Sequence, residues 1–200
     1  MRRQFKIENS KIIEENLVYI QNGNNSKLRD ILFAEQKGYC AYTETFLCRS
    51  DQKDIDHFNP SADFPDRNKY QNLFLVKALW NREKSNKWNS FQPILNPLSQ
   101  DFEERVIYNK DLKIFESKSS DDHEARNLVS ILKLDDYDLS VERKRYISRI
   151  EEIAGLYGIS IESFIQKRIS QQCFEDIIFI RSISEEFGID VWSMIPEITH

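Results

Sequence analysis

The amino-acid sequence predicts an α+β protein: helices first, then a small strand–strand–helix core, then an extra β-hairpin, and a helical C-terminal region. Three observations carry that reading. Apolar residues ahead of Lys37 recur at helical spacing, the texture from Tyr39 to Trp88 becomes aromatic, β-branched and alternating, and beyond the polar run Ser117–Asp122 the helical spacing returns.

Ile12, Ile13, Leu17 and Ile20 predict a helix over 10–21, broken by Asn22-Gly23-Asn24-Asn25. Ser26 is placed to cap a second helix reaching about Lys37, with Gly38 where a helix end wants a residue tolerant of positive φ. Tyr39-Cys40-Ala41-Tyr42-Thr43 reads as one strand and the alternating Asp54-Ile55-Asp56-His57-Phe58 as the next. Asn59-Pro60 and Phe64-Pro65-Asp66 punctuate a loop, and residues 77–88 read as a helix rich in good formers. Pro93, Asn96 and Pro97 mark a boundary. Val106-Ile107-Tyr108 and Lys113-Ile114-Phe115 then flank Asn109-Lys110-Asp111 as a hairpin. Leu128, Ile131 and Leu132 make one later apolar stripe, and Tyr146, Ile150, Ile153 and Leu156 another. The expected organisation is N-terminal helices (1–38), a small strand–strand–helix core (39–98), a hairpin extension (99–118) and a helical region (119–200), with no internal repeat.

Composition narrows the function classes. Of 200 residues, 40% are hydrophobic and 12% aromatic, enough for a genuine core. No apolar run is long enough to span a membrane, and Met1–Ile7 lacks the apolar stretch of a secretion signal. Three irregularly spaced cysteines make no disulfide framework, so a cytoplasmic protein is expected. The net charge of −5 argues against a protein that coats nucleic acid nonspecifically. Its distribution says more: residues 1–100 hold 15 Lys/Arg against 12 Asp/Glu, a net of +3, and residues 101–200 hold 13 against 21, a net of −8. A polyanion would therefore be engaged by the first half.

The chemistry concentrates in residues 39–88. Asp56-His57 closes a predicted strand, Asn72 stands on the approach to the helix, and Asn81 and Lys84 lie within it. Hydrolysing a phosphodiester needs a base for water and positive charge for the transition state. A neutral imidazole supplies the first, and a hard cation on oxygen ligands the second. Adjacent strand residues face opposite ways, so Asp56 can turn to a metal while His57 turns to substrate.

Asp56-His57…Asn72…Asn81-x-x-Lys84, spaced by fifteen and then nine residues from His57, resembles the ββα-metal motif of HNH endonucleases. The resemblance implies His57 as general base, Asn72 as the residue that orients it through the loop backbone, and Asp56 and Asn81 as ligands of Mg²⁺ or Mn²⁺. Lys84 would touch phosphate. The helix residues Lys77, Arg82, Lys84 and Lys87, against one acid, Glu83, support a nucleic-acid-facing surface. Glu35-Gln36-Lys37-Gly38-Tyr39-Cys40-Ala41-Tyr42 and Ile55-Asp56-His57-Phe58-Asn59-Pro60 further resemble HNH proteins of Septu-type and retron-linked anti-phage systems. That likeness implies a DNA-cleaving effector subunit working with an ATPase partner. Those relatives often carry two Cys-x-x-Cys pairs around a structural zinc. Here Cys40 stands with Thr43, Lys77 and Trp80 in the other three places, so no structural zinc is expected, with Trp80, Tyr42 and Phe46 filling the space.

Two rival readings are an RNA-directed nuclease with the same site and a noncatalytic subunit that only binds nucleic acid or a partner. Glu44 is read as an exposed hairpin acid rather than a metal neighbour. Trp80 and Trp88 read as core before base-stacking residues, His123 as a surface residue in an acidic run, and His200 as terminal.

Overall fold

A computed structural model describes residues 1–198; Thr199 and His200 lie outside the described residues. The N-terminal region holds α1 (Lys11–Glu14) and α2 (Ser26–Glu35). The expected helix over 10–21 is one turn only. Ser10 caps it by accepting from the Ile12 amide, and Asn16 turns to φ +51, which reverses the chain before Leu17. Lys37 (φ +52) and Gly38 (φ +82) both take the left-handed region after α2 and turn the chain into the next segment.

The strand–strand–helix unit exists, but its strands are not both the expected ones. Tyr39–Thr43 is a tight turn: Tyr39 bridges Phe46, the Cys40 amide donates to the Thr45 carbonyl, and the Glu44 amide donates back to the Cys40 carbonyl. Glu44 sits at φ +57, which no strand accommodates. The paired strands are β1 (Lys53–His57) and β2 (Leu73–Lys77), antiparallel with Lys53 opposite Lys77 and His57 opposite Leu73. The run Leu73-Phe74-Leu75-Val76 is buried on both faces, so it lacks the alternation that betrays a half-exposed strand. Helix α3 (Ala78–Ser85) follows β2 without a loop and packs on both strands. It is shorter than the expected 77–88, and a 3₁₀ turn at Trp88–Phe91 succeeds it.

After a single helical turn α4 (Phe102–Arg105), the hairpin forms as expected from β3 (Val106–Asn109) and β4 (Ile114–Ser117). Then come α5 (His123–Ile131), α6 (Tyr137–Tyr157), α7 (Ile161–Ser170), α8 (Ile180–Phe187) and α9 (Val191–Met194). Caps define these boundaries: Asp122, Asp136, Ser160 and Asp190 accept from the first-turn amides of α5, α6, α7 and α9, and Gly158 and Gly188 end α6 and α8 in the left-handed region.

Two apolar cores result. The larger joins α2, β1, β2, the hairpin and α5; the other gathers α6–α9 around Tyr39. Glu44 is not the exposed hairpin acid that the sequence suggests. It is buried: its carboxylate accepts the Arg2 amide at 2.9 Å and lies 3.6 Å from the Met1 ammonium, and its carbonyl accepts the Phe179 amide at 2.9 Å.

Gly38 is the joint between α2 and the turn Tyr39–Thr43 that leads to the strand pair. A Cβ there would stand 2.5 Å from Phe46 Cε2, on a backbone that L side chains avoid. Gly38→Ala is expected to lose ~1–2 kcal/mol from the left-handed backbone alone, measured by urea denaturation. Wild-type stability in that variant would remove the joint from the account.

Candidate active site

Strand alternation sets the two faces of β1. Asp54 and Asp56 point to α3, whose Asn81 and Lys84 they meet, and His57 points to the opposite side. Asp56 is 2% exposed and Lys84 fully buried. The Lys84 ammonium lies 3.1 Å from Asp56 Oδ1 and donates to the carbonyls of His57 and Phe58, each at 2.8 Å. Its three donors are thereby spent. The Tyr42 hydroxyl donates to Asp56 Oδ2. Burial pushes the Asp56 carboxyl above its usual range and the Lys84 ammonium below its own, and each charge opposes the other's shift.

Lys84 was expected at phosphate, and the structure turns it inward instead. Its stem lies among Phe58 and Trp88, with the ammonium 5.0 Å from the Trp88 ring centroid, so it serves the fold of the site. Lys77 is partly exposed and 3.7 Å from Asp51, whereas Arg82 and Lys87 are exposed and have no ion-pair partner among the described residues. Trp80 is partly buried against the larger core and Tyr42 fully buried in it, while Phe46 packs with Tyr39 and Phe174. Cys40 is buried with its sulfur accepting from the Lys77 amide.

His57 is half-buried. Its Nε2 meets Asn68 Oδ1 at 2.8 Å, and the Tyr19 ring packs edge-on with centroids 4.8 Å apart. Because an amide oxygen can only accept, Nε2 carries the proton, and Nδ1 keeps its lone pair. Desolvation lowers the imidazole's affinity for a proton; the Asn68 bond raises it and the Arg67 charge lowers it further, and the net shift is downward. A neutral ring near pH 7 follows.

Asn72 ends a 3₁₀ turn directly before β2 and clamps the loop between the strands. Its Oδ1 accepts from the Asn59 amide at 2.8 Å, and its Nδ2 donates to the carbonyls of Asn59 and Arg67 at 3.0 and 2.8 Å. That holds both ends of the segment carrying Asn68, and through Asn68 it bears on the imidazole. Tyr19, Tyr42, Asp54 and Asn68 are members of the site that the motif did not contain. Only Asp54 had a signal in the sequence, since it stands two positions before Asp56 on a strand.

The donor set can be weighed for a divalent cation. Asp54, Asp56 and Asn81 bring three oxygen-bearing side chains to one face beneath α3, the hard-ligand chemistry of magnesium or manganese. Asn81 Nδ2 donates to Asp54 Oδ2 at 3.1 Å, and its carbonyl oxygen accepts a longer bond from Ser85. Each carboxylate oxygen of Asp56 retains a second lone pair beside its present partner. Among the described residues no group of three or more His, Cys, Asp or Glu is gathered to hold a metal, so a cation here depends on the Asn81 amide oxygen.

Two outcomes follow. Lys84→Met strands the Asp56 carboxylate in the interior and should cost ~3–5 kcal/mol, with Lys84→Met/Asp56→Asn recovering a substantial part in urea denaturation. A single variant as stable as wild type would show the pair to be dispensable. His57, whose folded-state affinity for protons is depressed, binds them more readily when unfolded. Its stabilising contribution is therefore full above the ordinary imidazole pKa and declines as pH falls below it. NMR titration should place the His57 midpoint below that of free imidazole; a midpoint above it would contradict the site's electrostatics.

Comparison with curated proteins found no match, and comparison with solved structures found none. Residues 40–89, a quarter of the chain spanning the Asp56-His57 strand, Asn72 and helix α3, match the family model described as HNH endonuclease.

Proposed function

We propose that this chain is a metal-dependent endonuclease that hydrolyses DNA phosphodiester bonds. One observation carries the reading: within the segment similar to HNH endonucleases, the His57 imidazole is held neutral, with Nε2 tied to Asn68 and Nδ1 free to accept a proton. In this reading His57 Nδ1 takes the proton of the attacking water as general base. Asn68 keeps the ring in that tautomer, Tyr19 restrains its tilt, and Asn72 keeps the loop that carries Asn68 in register.

Asp56 and Asn81 would hold one Mg²⁺ or Mn²⁺, with Asp54 beside Asn81. When bound, such a cation stabilises negative charge on the phosphate and on the leaving oxygen. Lys84 balances the buried charge of Asp56 and fixes the backbone of His57 and Phe58. Arg82, Lys87 and the half-exposed Lys77 supply the basic surface of α3 and the turn beyond it, where a polyanionic strand would lie. DNA is favoured over RNA by the likeness to Septu-type and retron-linked HNH proteins. The same likeness, with the net charge of −8 on residues 101–200, supports an effector subunit of an anti-phage system directed by an ATPase partner.

The test is cleavage of plasmid DNA and a matched RNA with Mg²⁺ or Mn²⁺, with and without a co-purified ATPase. His57→Ala should cut turnover by ~10²-fold or more with the fold retained by circular dichroism, and EDTA should abolish cleavage without unfolding the chain. A folded His57→Ala protein that cuts at the wild-type rate would sink the assignment.

A further inference from the structure

With Lys84 turned inward, the His57 side of the strand pair lacks the cation that the motif placed at phosphate. A phosphodiester aligned with His57 Nδ1 still needs positive charge close to its non-bridging oxygens. Arg67, in the 3₁₀ turn Asp66–Asn68 of the loop between β1 and β2, supplies one.

Its backbone is held at both ends. The amide donates to the Asp63 carbonyl at 3.0 Å, and the carbonyl accepts from Asn72 Nδ2 at 2.8 Å. The next residue, Asn68, is the one bonded to the His57 ring. The Arg67 side chain is exposed and its guanidinium has no hydrogen-bond or ion-pair partner among the described residues. The neighbouring carboxylate that would most readily neutralise it, Asp66, is instead 2.6 Å from Lys69. A fixed backbone, an uncommitted fork of donors and a place one residue from the base's partner form a coherent arrangement.

We propose that Arg67 is a substrate-binding residue of this site, its guanidinium contacting the phosphate presented to His57. This rests on the nuclease reading above. The planar fork pairs with two phosphate oxygens at once, which a solvated surface arginine has no occasion to do.

The competing account is an ordinary solvated side chain, and the two differ in what its removal does. Because only the Arg67 backbone serves the fold, Arg67→Ala should keep the wild-type melting temperature. It should lower cleavage by ~10²-fold, the scale of losing one transition-state donor, and Arg67→Lys should recover part of that. In the His57→Ala background, where binding is read without cutting, Arg67→Ala should flatten the dependence of log affinity on log salt by ~1. An active wild-type chain whose Arg67→Ala variant cuts equally well, with an unchanged salt slope, overturns the proposal and leaves the nuclease reading standing. An inactive chain that binds DNA with the predicted change in salt slope overturns the nuclease reading and keeps Arg67 at phosphate. A chain that neither cuts nor binds overturns both.

Discussion

The Lys84 ammonium is the contact through which the site is assembled. An ammonium taken out of water loses several kcal/mol of hydration, and the loss is offset only where its donors and charge are all met. Here one head group meets Asp56 and the carbonyls of His57 and Phe58, so it ties α3 to the end of β1 at three points. It also prevents the two carbonyls at the end of the strand from being left unpaired. The direction of Asp56, the exit of the chain after His57 and the tilt of α3 therefore depend on one another. This is why a helix with several basic residues uses one of them for architecture and leaves the others to solvent.

The loop between the strands is the complementary half of that arrangement. A segment from Asn59 to Asn72 without regular strand or α-helix would ordinarily be loose, yet it carries Asn68, the hydrogen-bond partner of His57. Asn72 confines it by bonding to Asn59 and Arg67, and the 3₁₀ turns Asp66–Asn68 and Tyr70–Asn72 order its second half. A side-chain amide suits this task because it offers a donor and an acceptor in one plane and so bonds the backbone in both senses. The His57 ring is thus oriented at second hand, by a residue that never touches it.

The acidic second half contributes to the same end from a distance. Glu44, in the segment similar to HNH endonucleases, is buried against the N-terminal residues and the start of α8, and the Arg143 guanidinium, fully buried on α6, bonds the carbonyls of Lys113 and Leu134. Tyr39, directly before the segment similar to HNH endonucleases, belongs to the core made by the C-terminal helices, and its hydroxyl donates to the Phe174 carbonyl. The helical region is therefore continuous with the scaffold of the site, while its charged outer faces remain available for other work.

The α+β order, the hairpin, the C-terminal helices and the unit bearing Asp56, His57, Asn72 and Asn81 were legible in the sequence, because each rests on local spacing, caps or turn residues. Which strands pair was not. Leu73–Val76 is apolar throughout and has no period to read, whereas Tyr39–Thr43 has strand-like residues closed into a turn by the Cys40–Thr45 and Glu44–Cys40 backbone bonds and the Tyr39–Phe46 bridge. The fate of the charges was likewise a tertiary matter. Lys84 and Arg82 stand two residues apart on one helix, and nothing local says that the first is buried on Asp56 and the second left in water. The same holds for Glu44, Tyr19 and Asn68. Periodicity and motif spacing determine what each segment can become, but desolvation and pairing depend on what packs against it, and that is decided only when segments far apart in the chain meet.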